Sequence, residues 1–226
     1  MKILIVAATR LEIQPLEDHL LNMDEQNHLR KHAVELMITG AGSVFTAFQL
    51  GKMLPLDNWD LAINLGICGS FIKEIPVGTT VNVVEDTFGD FGAEDGDSVL
   101  NAFEMGLMQA DTFPFINGWI ENPMKSMPPL IQSIPRAKGI TMNTVSGNEH
   151  RIARLTSKFH ADIESMEGAA FMYCCLKESI PFLQLRTVSN YVQKRDKSKW
   201  DIPLAIKKLN ETAIRLLDEV LANGEW

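Results

Sequence analysis

The chain has 226 residues, 46% hydrophobic and 22% charged, which is enough for one sizeable packed core and short for two full domains. A formal net charge of −8 excludes a phosphate-binding nucleic-acid surface, which needs clustered Lys and Arg. Three cysteines make no disulfide framework, the six apolar residues after Met1-Lys2 are too few for a signal sequence, and no later apolar run reaches membrane length. The composition thus predicts a cytoplasmic protein with neither a membrane nor a nucleic-acid partner.

Residues 3–8 form a continuous apolar run, as expected of a central parallel strand buried on both faces. Thr9-Arg10-Leu11-Glu12 marks its carboxyl end and the entry to a helix reaching about residue 20. Residues 32–39 read as a second strand, and Gly40-Ala41-Gly42-Ser43-Val44 as a tight turn into a helix over 45–53. A third strand over 61–65 closes on Gly66-Ile67-Cys68-Gly69, and Pro76-Val77-Gly78 precedes a strand over 79–84. From 85 to 135 glycine, proline and acidic residues break the pattern. That stretch reads as an insertion of loops and short elements over one edge of the sheet, within a single domain spanning 1–226. Residues 137–145 resume strand character, and Ser146-Gly147-Asn148 leads into a helix over 149–159. Segment 163–192 carries a βαβ-type signal: an apolar run ending in Ser165-Met166-Glu167, a small-residue helix stopped by Pro181, and a second apolar run ending in Ser189-Asn190. Asp201-Ile202-Pro203 opens a terminal amphipathic helix with Leu204, Ile206, Leu209, Ala213, Leu216, Leu217 and Val220 on its apolar face.

Open α/β sheets bind ligands at the carboxyl ends of their strands, so the two ends in segment 163–192 bring Glu167 and Asn190 toward one crevice. Gly168, Ala169 and Ala170 let the intervening helix sit close to the sheet. Glu12 occupies the corresponding position after the first strand. Alone it is explained as a first-turn glutamate favoured by the helix dipole. Paired with Glu167 it fits glycosyl hydrolysis, where one carboxylate handles water and another engages the sugar. Gly40-x-Gly lacks the third glycine of a dinucleotide fingerprint, having Phe45 there, and Asp60 precedes the next strand where the fingerprint's acid follows it. No nicotinamide cofactor is therefore expected. His19, His28, His32, His150 and His160 have no ligand spacing, and Glu94-Asp95-Gly96-Asp97 misses the calcium-loop register, so no metal is expected either. Cys174-Cys175 reads as core packing. Ser146 and Ser189 lack the setting of a nucleophile elbow.

Glu12 after the first strand, Asn64-Leu65-Gly66-Ile67-Cys68-Gly69, Ser146-Gly147-Asn148, Ser165-Met166-Glu167-Gly168-Ala169-Ala170 and Arg186-Thr187-Val188-Ser189-Asn190 fall in one order along nearly the whole chain. In that order they resemble the purine nucleoside phosphorylase/nucleosidase superfamily. Asp90-Phe91-Gly92-Ala93-Glu94-Asp95-Gly96 and the stretch from Ser189 to Pro203 resemble its futalosine-hydrolysing branch, which serves menaquinone biosynthesis. The resemblance implies an α/β three-layer sandwich with a mixed, partly barrel-like central sheet. It implies a small nucleoside substrate, no cofactor, and a homo-oligomer built on a dimer whose subunits complete each other's pockets. Glu12 and Asn190 would be catalytic, and Met166, Glu167, Arg186, Ser189 and His150 would bind substrate, His150 by stacking on the base. A solvent-facing helix histidine explains His150 equally well. Phosphorylases of the superfamily carry arginine and serine where Asn64 and Ile67 stand, which favours water over phosphate as the nucleophile. Nucleosidases acting on adenine compounds carry aspartate where Asn190 stands, so the neutral amide favours a 6-oxopurine. A methylthioadenosine/adenosylhomocysteine-type nucleosidase, a purine nucleoside phosphorylase and a non-catalytic nucleoside sensor are the rival expectations.

Overall fold

β1 (Lys2–Ala7) lies between two parallel neighbours, β2 (Ala33–Ile38) and β3 (Leu61–Ser70). Ile3, Ile5 and Ala7 point to one face of the sheet, and Leu4 and Val6 to the other. All five are fully buried, which is why the segment is apolar without interruption. The coordinates are a computed structural model describing residues 1–25, 32–96 and 98–223. His28 and Asp97, considered above as metal ligands, lie outside the described residues.

β3 is shared between two halves of the architecture. Its first half pairs with β1, its last residues pair antiparallel with β10 (Ile163–Ser165), and β11 (Phe182–Tyr191) runs parallel along nearly its whole length. β10 continues to β9 (Arg136–Thr141), β9 to β4 (Thr80–Asp86), and β4 back to β11. These five strands close a mixed barrel, with β1 and β2 extending from it as an open wing. Val81, Val83, Ala137, Ile163 and Val188 pack together from four of the barrel strands.

The helices complete three layers. α1 (Arg10–Glu25) and α6 (Ile202–Asn223) pack together against the Ile3/Ile5/Ala7 face, where Ile13, Leu16, Leu209, Leu216 and Leu217 are buried. α2 (Ser43–Met53) and α5 (Gly168–Lys177) cover the opposite face through Leu50, Phe171 and Met172. Each such side chain contributes roughly 1.5–3 kcal/mol by leaving water. α4 (Glu149–Phe159) starts at Asn148, whose side-chain Oδ1 accepts from the backbone N–H groups of His150 and Arg151 at 3.0 and 3.1 Å.

Several expectations change in detail. The third strand does not stop before Gly66 but continues through Gly69 to Ser70, because these glycines face side chains that need the room. The 137–145 strand ends at Thr141. Segment 163–192 is not a parallel βαβ unit: β10 and β11 lie on either side of β3, one antiparallel and one parallel to it. Between 85 and 135 the chain forms a hairpin, β5 (Gly92–Asp95) with β6 (Ser98–Asn101). A second hairpin, β7 (Phe115–Ile116) with β8 (Trp119–Glu121), pairs through β8 with β4, and the short α3 (Pro129–Ser133) follows.

Candidate active site

The carboxyl ends of β1, β3, β10 and β11 converge on a cavity of about 270 Å³. Ala8, Thr9 and Glu12 line it after β1, and Ile67, Cys68 and Gly69 from β3. Glu164, Ser165, Met166 and Glu167 come from β10 and the turn into α5, and Ser189 and Asn190 from β11. The glycine turn adds Ala41, and Leu11, Trp200, Ile202 and Ile206 add apolar wall. Gly40 and Gly42 have φ of +87° and +100°, a conformation that side-chain-bearing residues rarely adopt.

Glu12 is 8% exposed and tightly held. Its Oε2 accepts from the Thr9 backbone N–H at 3.0 Å and the Thr9 hydroxyl at 2.9 Å, and its Oε1 accepts from the Ile67 N–H at 3.1 Å. A carboxylate has about four acceptor sites, so three protein donors leave one for a water. Burial raises the Glu12 carboxyl above its ordinary range, against the opposing pull of the Arg186 charge and these hydrogen bonds.

Glu167 ends the β10 turn with both oxygens engaged. Oε1 accepts from Gly42 N–H at 3.0 Å, and Oε2 lies 3.3 Å from Nη1 of Arg186. Arg186 is fully buried and stands behind the cavity wall, donating also to Gln184 Oε1 at 3.2 Å and to Asn64 Oδ1. A Cβ on Gly66 would collide with that guanidinium and stand 3.2 Å from Glu12 Oε1, so the strand needs glycine there. Behind Arg186, Gln184 Nε2 donates to Asp86 at 3.2 Å, and burial lifts the Asp86 carboxyl to about 7.

The single Ser189 hydroxyl proton lies between two acceptors, Cys68 O at 3.1 Å and Asn190 Oδ1 at 2.8 Å, and Asn190 Nδ2 donates to Tyr191 O at 3.0 Å. The Asn190 amide therefore keeps one N–H and one carbonyl lone pair free. Met166 is half-buried in the lining. Burial pushes the Cys68 thiol up to about 12, which leaves it no thiolate character at neutral pH.

Six of the seven expected site residues gather at or directly behind this cavity; Arg186 is the one behind it. His150 does not join them: it is exposed in the first turn of α4 and outside the lining, so its stacking role finds no support in the geometry. Asn64, expected only as a substitute for a phosphate-binding arginine, is a buried bracket. It donates to Val6 O at 3.0 Å and accepts from Arg186. Sequence reasoning missed Glu164, 5% exposed in the lining, although a charge between Ile163 and Ser165 in a short strand was the available signal. Among the described residues no group of His, Cys, Asp and Glu has the arrangement of a metal site, and no helix is long and apolar enough to cross a membrane.

A phosphorylase superfamily model matches residues 2–222. The futalosine hydrolase of Thermus thermophilus is 27% identical over 219 residues, covering 96% of this chain and 95% of that protein. Among solved structures, the futalosine hydrolase of Helicobacter pylori superposes with a TM-score of 0.76 at 18% identity, over 97% of this chain and 98% of that one. The Streptococcus pneumoniae MTA/SAH nucleosidase bound to 8-aminoadenine superposes with a TM-score of 0.79 at 20% identity, over 97% and 100%. At these identities the superpositions show a shared fold.

Proposed function

The chain belongs to the phosphorylase superfamily, and from that premise we propose that it is an N-glycosyl hydrolase acting on futalosine. The products would be hypoxanthine and dehypoxanthine futalosine, an early reaction of menaquinone biosynthesis. The observation that carries the choice of water is the charge of the cavity. Among the described residues no Lys, Arg or His lines it, whereas Glu12, Glu164 and Glu167 do. A phosphate dianion held without cations beside three carboxylates is strongly disfavoured. The position that could have supplied a donor, the Ile67 N–H, is already bound to Glu12.

In this reading Glu12 takes a proton from a water below the anomeric carbon. Glu167, fixed by Arg186 and Gly42, accepts hydrogen bonds from the ribose hydroxyls, and those bonds strengthen as the ring acquires oxocarbenium character. Met166 packs against the sugar. The C1′–N9 electron pair leaves with the base, whose N7 takes its proton from solvent while the proton held by Glu12 returns to solvent. Asn190 then offers its free carbonyl lone pair to N7–H and its free N–H to O6, stabilising the leaving group by hydrogen bonding. The apolar mouth at Leu11, Trp200, Ile202 and Ile206 suits the benzoate-bearing tail. We take residues 1–226 as one such hydrolase domain.

The deciding assay incubates the chain with futalosine, its 6-amino analogue, inosine and methylthioadenosine, with and without phosphate, and identifies the released base by chromatography. Hypoxanthine from futalosine at a phosphate-independent rate is expected. Adenine as the preferred product, or a strict phosphate requirement, refutes the substrate or the reaction respectively. Asn190→Asp should shift the ratio of kcat/KM values about tenfold toward the 6-amino substrate, the worth of one exchanged hydrogen-bond partner. An unmoved ratio removes Asn190 from base selection.

The same reading includes a homodimer. Val44, Phe45 and Phe48 are 72%, 60% and 63% exposed on α2, the helix that follows the Ala41 wall of the cavity. An apolar face of this kind beside a site marks an interaction surface. Light scattering should give twice the chain mass. Phe48→Asp should halve it and raise KM several-fold, whereas a wild-type monomer would end this part of the proposal.

A further inference from the structure

We propose that Glu164 selects the base: one of its carboxylate oxygens accepts the N1–H that a 6-oxopurine carries and a 6-aminopurine lacks. The inference rests on the nucleosidase reading above and extends it to the edge of the base that Asn190 does not reach.

Glu164 Oε1 accepts from the Ser146 backbone N–H at 2.9 Å, whereas its Oε2 and the hydroxyl of Ser146 are both buried without a well-formed hydrogen bond, the hydroxyl lying near enough to the carboxylate to favour its charged form. Buried carboxylate oxygens without a donor are costly and uncommon. Both residues line the cavity, so a donor supplied by a ligand resolves the deficit. Oε2 is itself buried, and the terminal torsion of a glutamate is soft enough to turn one oxygen toward the cavity that the residue lines.

The sheet places Glu164 where a base read by Asn190 would meet it. Both residues pair with Gly69, Glu164 from β10 and Asn190 from β11. Paired residues on adjacent strands project to the same face. Asn190 Nδ2 is 3.3 Å and Glu164 Cγ 3.6 Å from the point where a Gly69 Cβ would stand. Val192 Cγ2 closes that same point at 2.9 Å, so the two polar side chains lie side by side at the cavity wall, where one planar heterocycle in the cavity can touch both. On that heterocycle the available groups match a 6-oxopurine: an acceptor for N7–H and a donor for O6 at Asn190, and an acceptor for N1–H at Glu164. Adenine presents a lone pair at N1, which an ionised carboxylate repels. Burial raises the Glu164 carboxyl, and a donated N1–H acts in the opposite direction by favouring the charged form. The competing explanation is that the Ser146 hydroxyl satisfies Glu164 Oε2, directly or through a structural water, with no part in recognition.

Titration calorimetry of the full chain with hypoxanthine and 1-deazahypoxanthine separates these. The deaza base replaces N1–H with C–H without added bulk. Wild type should bind it at least about tenfold more weakly, as expected for loss of a hydrogen bond to a charged acceptor. Glu164→Gln, nearly isosteric and still able to accept from Ser146 N–H, should shrink that gap to about threefold and lower the futalosine preference over the 6-amino analogue in kcat/KM. Equal binding of the two bases by wild type refutes the assignment, and this arm holds even where the variant fails to fold. A gap that persists in Glu164→Gln also refutes it and leaves the Ser146 hydroxyl as the partner of Oε2. If no nucleoside is cleaved, the hydrolase reading fails while the base contrast can still be measured. An active hydrolase without the contrast loses only Glu164.

Discussion

Glu12→Gln should lower kcat on the preferred nucleoside by 10²- to 10⁴-fold, the range expected for removal of a general base, while substrate binding changes little. The carboxylate is positioned by three donors, Thr9 N–H, the Thr9 hydroxyl and Ile67 N–H, and a glutamine can satisfy them only in part. With its carbonyl toward Thr9, its amide N–H₂ faces the Ile67 N–H, donor against donor. One hydrogen bond is lost, so a modest drop in stability accompanies the large drop in turnover. The split between kcat and binding is the diagnostic. A variant retaining more than about a tenth of wild-type kcat would exclude Glu12 from proton transfer.

The pH profile tests the same residue without mutation. Burial raises the Glu12 carboxyl above the ordinary value of 4.5, and the base acts only when ionised. The acidic limb of kcat/KM should therefore lie above pH 4.5. An acid whose pKa is raised on folding contributes stability below its unfolded pKa, and that contribution is lost as pH rises through the folded one. Glu12 is thus catalytically competent in the state that folding penalises. Glu12→Gln should remove both the limb and this part of the pH dependence of stability.

The sequence discloses parts of this arrangement for identifiable reasons. Ile3 to Ala7 reads as a buried strand because burial on both faces leaves no polar position, and the acid beyond its end stands out against that run. Asn148 and the helix it caps are legible because a cap is a local hydrogen-bond requirement. Gly66 and Gly69 look like a turn from sequence because the reason for them is not local. They make room for Arg186, Glu164 and Asn190, which reach them across strand pairs formed far along the chain. His150 lies outside the lining for the converse reason. Its place in a helix is readable, but which way a first turn faces depends on packing that no neighbouring residue encodes. In the sequence Asn64 stands out only as a missing charge, yet its structural task is to hold Arg186, a contact between strands β3 and β11 visible only when they pair.

Arg186→Met should destabilise the fold by about 3–5 kcal/mol, the range for removing one partner of a buried ion pair. Arg186 is fully buried, and its guanidinium is the charge partner of Glu167 and attracts Glu12 as well. Methionine fills much of the volume but leaves Glu167 with only the Gly42 N–H, and leaves the Gln184 and Asn64 carbonyl oxygens without this donor. Surface ion pairs are worth about 0–1 kcal/mol, so urea melts separate a buried network from an incidental contact. The deficit should also grow with pH. Arg186 pulls the Glu12 and Asp86 carboxyls downward, so without it both folded pKa values rise further. Groups raised in this way supply stability that is lost as pH increases through their folded values, and the variant should therefore approach wild type in acid and fall furthest behind above pH 7. Adding Glu167→Gln should recover part of the loss, because the stranded charge disappears with it. A loss below 1 kcal/mol, constant with pH and not relieved by the second substitution, would show that Arg186 does not hold the site together.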